Sequence, residues 1–179
     1  VYTYFANGLR HTATNASGVT TYEYDRRNRL KTKAATAGTL TYSYDDAGNA
    51  TKIRSSNTNG TSVDYAWNKA NELTSVIDNN VLVNGEATTT TATYTPTRRP
   101  ATLNQPNGIG VTYSYDALDR VTSMLWRQGT TPGFGSWAYT HNERGQRLTS
   151  TDITGNTGSG SAHNNVHPVY VVNFFIYPA

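Results

Sequence analysis

The stretch TYEYDRRNRL, residues 21–30, sets two tyrosines one residue apart, then an aspartate, a polar run and a leucine. Alternate side chains of a strand share a face, so Tyr22 and Tyr24 would point the same way. Asp25-Arg-Arg-Asn28 has the residue types of a type I turn. Its Asp bonds the backbone two residues on, and Asn suits a left-handed position at the end. A second strand from Leu30 then completes a β-hairpin.

The pattern repeats. Aligned on the second aromatic of each aromatic-x-aromatic pair, copies fall at Tyr4, Tyr24, Tyr44, Trp67, Tyr94, Tyr115 and His141, with spacings of 20, 20, 23, 27, 21 and 26 residues. The first aromatics are Tyr2, Tyr22, Tyr42, Tyr65, Tyr113 and Tyr139, and the copy at Tyr94 has Ala92 in that place. Turn residues recur in step: Asp25 with Asn28, Asp45 with Gly48, Asn68 with Asn71, Asp116 with Asp119, Asn142 with Gly145. The copy Thr95-Pro-Thr-Arg98 has a suitable proline, but Arg98 suits the left-handed position poorly, so a distorted turn is expected there. Gly- and Asn-bearing loops at 15–18, 37–39, 57–60 and 106–110 would join one hairpin to the next. Strands every ten residues or so, with no helical periodicity, predict an all-β chain. One hairpin is not stable in water, so the units must lie side by side in a curved or spiral antiparallel sheet.

Composition agrees. Leu, Ile, Val and Phe make up only 30 of 179 residues, but 30 threonines, 13 tyrosines and 3 tryptophans supply strand-favouring side chains and large apolar areas. The expectation is a thin, aromatic-rich core. A net charge of +3 argues against compositional disorder. The absence of cysteine removes disulfide and thiolate chemistry. No apolar run is long enough for a membrane helix, so no membrane insertion is expected.

The pattern Tyr-x-Tyr-Asp-x-x-Gly-Arg-Leu at about twenty-residue spacing resembles the YD-repeat, or Rhs-repeat, family, over roughly residues 2–154. That family includes bacterial Rhs and wall-associated proteins, shell subunits of insecticidal toxin complexes, and teneurins. The resemblance implies a spiralling β-sheet that closes into a hollow shell, with a toxin enclosed in some members. Such shells use more than seven repeats, which implies a segment or an assembly. No box of autoproteolytic aspartates follows Asp152.

Beyond the repeat array, 1–154, residues 155–165 read as a Gly/Ser/Asn-rich linker and 166–179 as an apolar strand. Val169, Tyr170, Val171, Val172, Phe174, Phe175, Ile176 and Tyr177 carry high β-propensity and no charge. Three readings stand: a last strand buried in the local fold, a truncated or altered end, or an assembly strand offered to a neighbour's open edge. The third, with an open edge at Val1, would give a head-to-tail homo-polymer.

Chemistry is sparse. His163 and His167 are four apart, but a linker and Pro168 give them no helix from which to bind metal. Asp45-Asp46 is explained by the turn. No catalytic, metal or cofactor residue is expected. Arg26, Arg27, Arg29, Lys31 and Lys33 form the one basic cluster. Read as a plain strand, it puts Arg29, Lys31 and Lys33 on one face, with Leu30 and Thr32 on the other. Nucleic-acid binding would want several such patches interleaved with aromatics, so none is expected. Trp67, Trp126 and Trp137 are either core fillers or stacking platforms for surface glycans. The whole predicts a non-enzymatic structural segment of a secreted or surface-exposed bacterial protein, part of a β-shell or an extracellular fibre. A carbohydrate-binding module or a toxin-shell fragment are the alternatives.

Overall fold

A computed structural model describes residues 1–83, 85–129 and 131–152. The linker and the apolar stretch Val169–Tyr177 named above, with His163 and His167, lie outside the described residues.

Among the described residues fourteen strands run in chain order: β1 Tyr2–Tyr4, β2 Arg10–Asn15, β3 Gly18–Tyr24, β4 Leu30–Ala35, β5 Gly38–Tyr44, β6 Ala50–Ser55 and β7 Ser62–Trp67. The series continues with β8 Leu73–Val83, β9 Glu86–Tyr94, β10 Pro100–Asn104, β11 Ile109–Tyr115, β12 Val121–Gln128, β13 Thr131–His141 and β14 Arg147–Asp152. They form one open antiparallel meander, each strand hydrogen-bonded to its sequence neighbours. Every repeat is one hairpin, an odd strand followed by an even one.

Every hairpin carries a bulge at the same place. In the second, Glu23 faces Thr32 and Tyr24 faces Leu30, leaving Lys31 as the extra residue. The other six leave out His11, Thr51, Thr74, Ala101, Thr122 and Leu148 in the same way. An extra residue bends the strand and increases its twist. It also overturns the simple alternation expected of the basic cluster. Leu30 and Lys33 share the tyrosine face, Thr32 lies on the other, and Lys31 sits in the bulge.

With the bulges counted, the two faces separate by chemistry. One carries Tyr22, Tyr24, Leu40, Tyr42, Tyr44, Ile53, Val63, Tyr65 and Trp67 in β3 to β7. The same face carries Leu103, Val111, Tyr113, Met124, Trp126, Trp137 and Tyr139 in β10 to β14. The opposite face is rich in threonine and serine, with hydroxyl pairs Thr3–Thr12, Thr93–Thr102 and Thr140–Thr149 at 2.6, 2.7 and 2.6 Å.

No second layer covers either face among the described residues, which corrects the expectation of a core. Val111, 1% exposed, is the one fully buried hydrophobic residue described. From Tyr22 to His141 the repeat aromatics are half-buried, packed sideways against their neighbours, while Tyr2 and Tyr4 are each 59% exposed. A single sheet can shield a ring only from its flanks.

The ladders between hairpins reveal what the second aromatic does. β2 pairs with β3 only over residues 12–15 and 18–21, and β4 with β5 only over 32–35 and 38–41. All six junctions stop at the residue before the aromatic pair. Beyond that point the bulged strand diverges, and the aromatic side chain crosses the gap. The Tyr44, Tyr94 and Tyr115 hydroxyls donate to the carbonyls of Leu30, Leu73 and Pro100, each at 2.8 Å. Trp67 Nε1 donates to the Ala50 carbonyl at 2.7 Å. Each acceptor is the first strand residue after the preceding turn. Tyr24 instead meets Phe5 edge-on, at 6.3 Å between centroids. Burial pushes the Tyr44, Tyr94 and Tyr115 hydroxyl pKa values up, so these donors stay protonated at neutral pH.

These bonds set a stability order. Tyr44→Phe and Tyr94→Phe should each cost about 1 kcal/mol, the net value of a hydrogen bond whose acceptor is left unmet. His141→Tyr, which places a hydroxyl opposite the Val121 carbonyl, should raise stability by a similar amount. Urea midpoints of the three variants measure this, and the order fails if Tyr44→Phe is neutral.

Candidate functional site: the aromatic face and its turn ladder

The seven hairpin turns lie along one edge of the sheet and share one backbone form. In the second, the Asn28 amide donates to the Asp25 carbonyl at 3.0 Å and the Asp25 amide to the Arg29 carbonyl at 2.9 Å. This is a type I turn followed by a left-handed residue. That residue is Gly8, Asn28, Gly48, Asn71, Arg98, Asp119 or Gly145 in turn, with φ between 59° and 101°.

In six of the seven turns the first residue holds the loop through its side chain, the exception being Phe5. One Asp25 carboxylate oxygen accepts from the Arg27 and Arg29 amides at 2.8 and 3.0 Å, and the other from Arg29 Nε at 2.7 Å. Asp116 repeats this with the Leu118 and Arg120 amides and Arg120 Nε, at 2.9, 3.0 and 2.6 Å. Asp45 bonds Asn49 through backbone and side chain. Asn68 bonds Glu72 and Asn142 bonds Gln146 in the same way. Thr95 accepts from the Arg99 amide. The fifth residue is therefore part of the turn. Arg29 is a turn clamp, not the outer face of a returning strand.

The fifth residue and its neighbours also tie each turn to the next. Asn7 Nδ2 donates to Asn28 Oδ1 at 3.3 Å, Arg29 Nη1 to the Asp45 carbonyl at 3.1 Å, and Asn49 Nδ2 to Asn71 Oδ1 at 2.9 Å. Arg98 Nε donates to Glu72 Oε1 at 3.0 Å, Thr97 Oγ1 to Asp119 Oδ1 at 2.7 Å, and Arg120 Nη1 to the Asn142 carbonyl at 2.9 Å. All six junctions between turns are thus bridged. Arg29 also lies over the Tyr44 ring at 4.4 Å, which joins the turn edge to the aromatic face.

The turn at Thr95 is not distorted. Arg98 takes φ 65° and the loop keeps both backbone bonds, Arg98 amide to Thr95 carbonyl at 2.9 Å and Thr95 amide to Arg99 carbonyl at 2.8 Å. The side chain explains it. Arg98 reaches back to the Glu72 carboxylate and the Ala70 carbonyl, and these contacts offset the left-handed backbone.

The opposite edge is bound differently. Asn57 Nδ2 donates to the Ala37 carbonyl at 2.7 Å and Thr36 Oγ1 to the Ser17 carbonyl at 3.0 Å. Gly38, at φ 132°, lets Asn57 approach, since a Cβ there would lie 2.3 Å from Asn57 Oδ1.

On the aromatic face, where β7 to β11 meet, a cavity of 610 Å³ is lined by Trp67, Leu73, Val76, Tyr94, Leu103 and Tyr113. Asn71 and Glu72 of the turn edge also line it. The three tryptophans do not converge on one place. Trp67 is on β7, whereas Trp126 and Trp137 are on the adjacent strands β12 and β13, five and six strand positions along the sheet. All three are half-buried.

No protein-family model and no curated protein matches the sequence. Among solved structures, TcdB2-TccC3-TEV matches with a TM-score of 0.66 and 13% identity, over 85% of this chain and 9% of its own length. TcdB2-TccC3 matches with a TM-score of 0.49 and 13% identity, over 84% of this chain and 11% of that one. The first likeness is one of fold, an Rhs/YD-repeat-like sheet, and this chain spans a small fraction of that protein.

Backbone bonds from Arg29 hold the Asp25 pKa below the usual carboxylate range, and those from Arg120 do the same for Asp116. Side-chain bonds from Asn49 and Asn68 lower Asp45 and Glu72. A carboxylate depressed in the native state stabilises above its unfolded pKa, and that contribution is lost as pH falls through the native value. Stability should therefore decline below about pH 4, the ordinary carboxylate value. Asp25→Asn with Asp116→Asn should lower stability at pH 7 and flatten the acid limb of a melting-temperature profile. Asp46→Asn, at an exposed turn position, should leave stability at pH 7 unchanged.

Proposed function

We propose that this chain is a structural segment without catalysis of its own, part of the wall of a larger secreted or surface-exposed bacterial YD-repeat protein. In this reading it contributes to a β-shell of the toxin-enclosing kind, or to an extracellular fibre. The observation that carries the proposal is the construction of the sheet. Fourteen strands stand one layer thick, with turns bridged at every junction along one edge, an aromatic face and a hydroxyl face. Cohesion is lateral, from repeat to repeat, as a wall requires. The fold likeness to TcdB2-TccC3-TEV, of which this chain spans 9%, supports a segment of something larger. In this reading the aromatic face, which carries the cavity, is the inner one.

Single cysteines distinguish a shell from a fibre, because the sequence has none of its own. In the assembled protein, Thr41→Cys on the hydroxyl face should react with a bulky maleimide. Ile53→Cys on the aromatic face should react at least tenfold more slowly until the protein is denatured. Equal labelling of the two faces in the native assembly would refute a closed shell and leave the fibre.

A second reading rests on the open cavity. Trp67, Tyr94 and Tyr113 present half-exposed rings beside Glu72 and Asn71, a combination that suits stacking and hydrogen bonding to a sugar. Glycan-array binding that is abolished by Tyr113→Ala, with the fold retained, would favour this reading. No binding across the array would dispose of it.

A further inference from the structure

Six of the seven repeats place a tyrosine first in the aromatic pair, and the fifth places Ala92 there. The position is equivalent in the sheet. Tyr42 faces Ile53, Tyr65 faces Val76 and Tyr113 faces Met124 across their hairpins, and Ala92 faces Leu103 in the same way. The tyrosines stand in a column. Burial pushes the Tyr42 and Tyr65 hydroxyl pKa values up, and Tyr22 beside the first and Tyr42 beside the second add to the rise. At the fifth place the column has a methyl group where the other repeats have a phenol.

The cavity of the aromatic face lies at that place. Ala92 and Leu103 line it, with the rings of Trp67, Tyr94 and Tyr113. Its 610 Å³ is within the range of sites for small molecules, which are apolar with a few placed polar groups. Ring walls favour a flat aromatic guest, through stacked and edge-on contacts.

Among the described residues Glu72 is the one charged group in the lining. Its Oε2 accepts from Asn68 Nδ2 at 2.6 Å and its Oε1 from Arg98 Nε at 3.0 Å. A carboxylate offers about four acceptor positions, so these two bonds leave capacity for a further donor. The bond from Asn68, then that from Arg98, holds the Glu72 pKa down, so the group is an ionised acceptor at neutral pH. An apolar, ring-walled cavity with one anionic acceptor complements an uncharged ring that carries a donor, and it opposes anions.

We propose that the cavity at Ala92 binds a small phenol, whose ring takes the place of the absent tyrosine ring over Leu103 and whose hydroxyl donates to the Glu72 carboxylate. Tyrosine at the sister positions is the template for this ligand, and Ala92 is the residue that admits it. The site shares the cavity of the sugar reading but not its ligand, and it does not depend on the wall reading.

The probe is p-cresol, the tyrosine side chain as a free molecule, titrated into the full chain and followed by NMR of the methyl groups. The Ala92 and Leu103 methyl signals should shift saturably. Compared with p-cresol, 4-methylanisole, which has the ring and the oxygen but no donor, should bind at least tenfold more weakly. Ala92→Tyr, which fills the cavity with the ring of the other repeats, should weaken p-cresol binding at least tenfold. Should that variant fail to fold, the methyl shifts in the unaltered chain decide the matter. Saturable shifts at Ala92 and Leu103 support the site, and shifts confined to other methyls refute it. Equal binding of the two probes, or p-cresol binding unchanged in a folded Ala92→Tyr variant, would overturn the proposal. Glycan binding without p-cresol shifts would overturn it too, and would leave the sugar reading in place.

Discussion

Asp25 accepts two backbone amides with one carboxylate oxygen and the Arg29 guanidinium with the other, and the rest of the sheet is built on the turn this fixes. A sheet one layer thick has no facing layer to hold it flat or in register. Its order must come from the strand ends and from the contacts between successive hairpins. The turn gives both: it sets the hairpin register, and it presents Arg29 to the next turn and to the Tyr44 ring.

The bulge beside each turn makes the aromatics necessary. By adding one residue, it splays each strand from the hairpin before it and stops the inter-hairpin ladder short of the aromatic pair. Backbone groups left in that gap need partners, and a ring with a polar tip is long enough to supply one. Tyr44, Trp67, Tyr94 and Tyr115 make equivalent bonds although their repeats differ in length, so the contact tolerates insertions between hairpins. The chain can then vary its loops at 56–61 and along the long strands β8 and β9 without losing the repeat. It also makes the aromatic face a by-product of cohesion: a half-buried, ring-lined surface with a cavity, open to whatever a larger assembly places against it.

Much of this was legible in the sequence because turn chemistry and strand alternation are local. Asp25, Asp45, Asn68, Asp116 and Asn142 stand where a side-chain acceptor is needed. Asn28, Gly48, Asn71, Asp119 and Gly145 stand where φ is positive. Arg98 misled, since its left-handed backbone is held by Glu72 and Ala70, residues 26 and 28 positions away that no local rule connects to it. Arg29 and Lys31 misled for a related reason. Strict alternation assigns them to a strand face, but the bulge takes one of them out of the alternation and the carboxylate draws the other into the turn.

By itself, then, the sequence determined the repeat, the hairpins, the turn residues and the all-β class, each of which depends on residues within about ten positions of one another. Only the tertiary structure decided that the aromatics line a face instead of filling a core. It alone also showed the bulge repeated in every hairpin and the turns bridged along one edge. Those features depend on which hairpins become neighbours and at what angle they diverge, and that is set by backbone geometry summed over many strands.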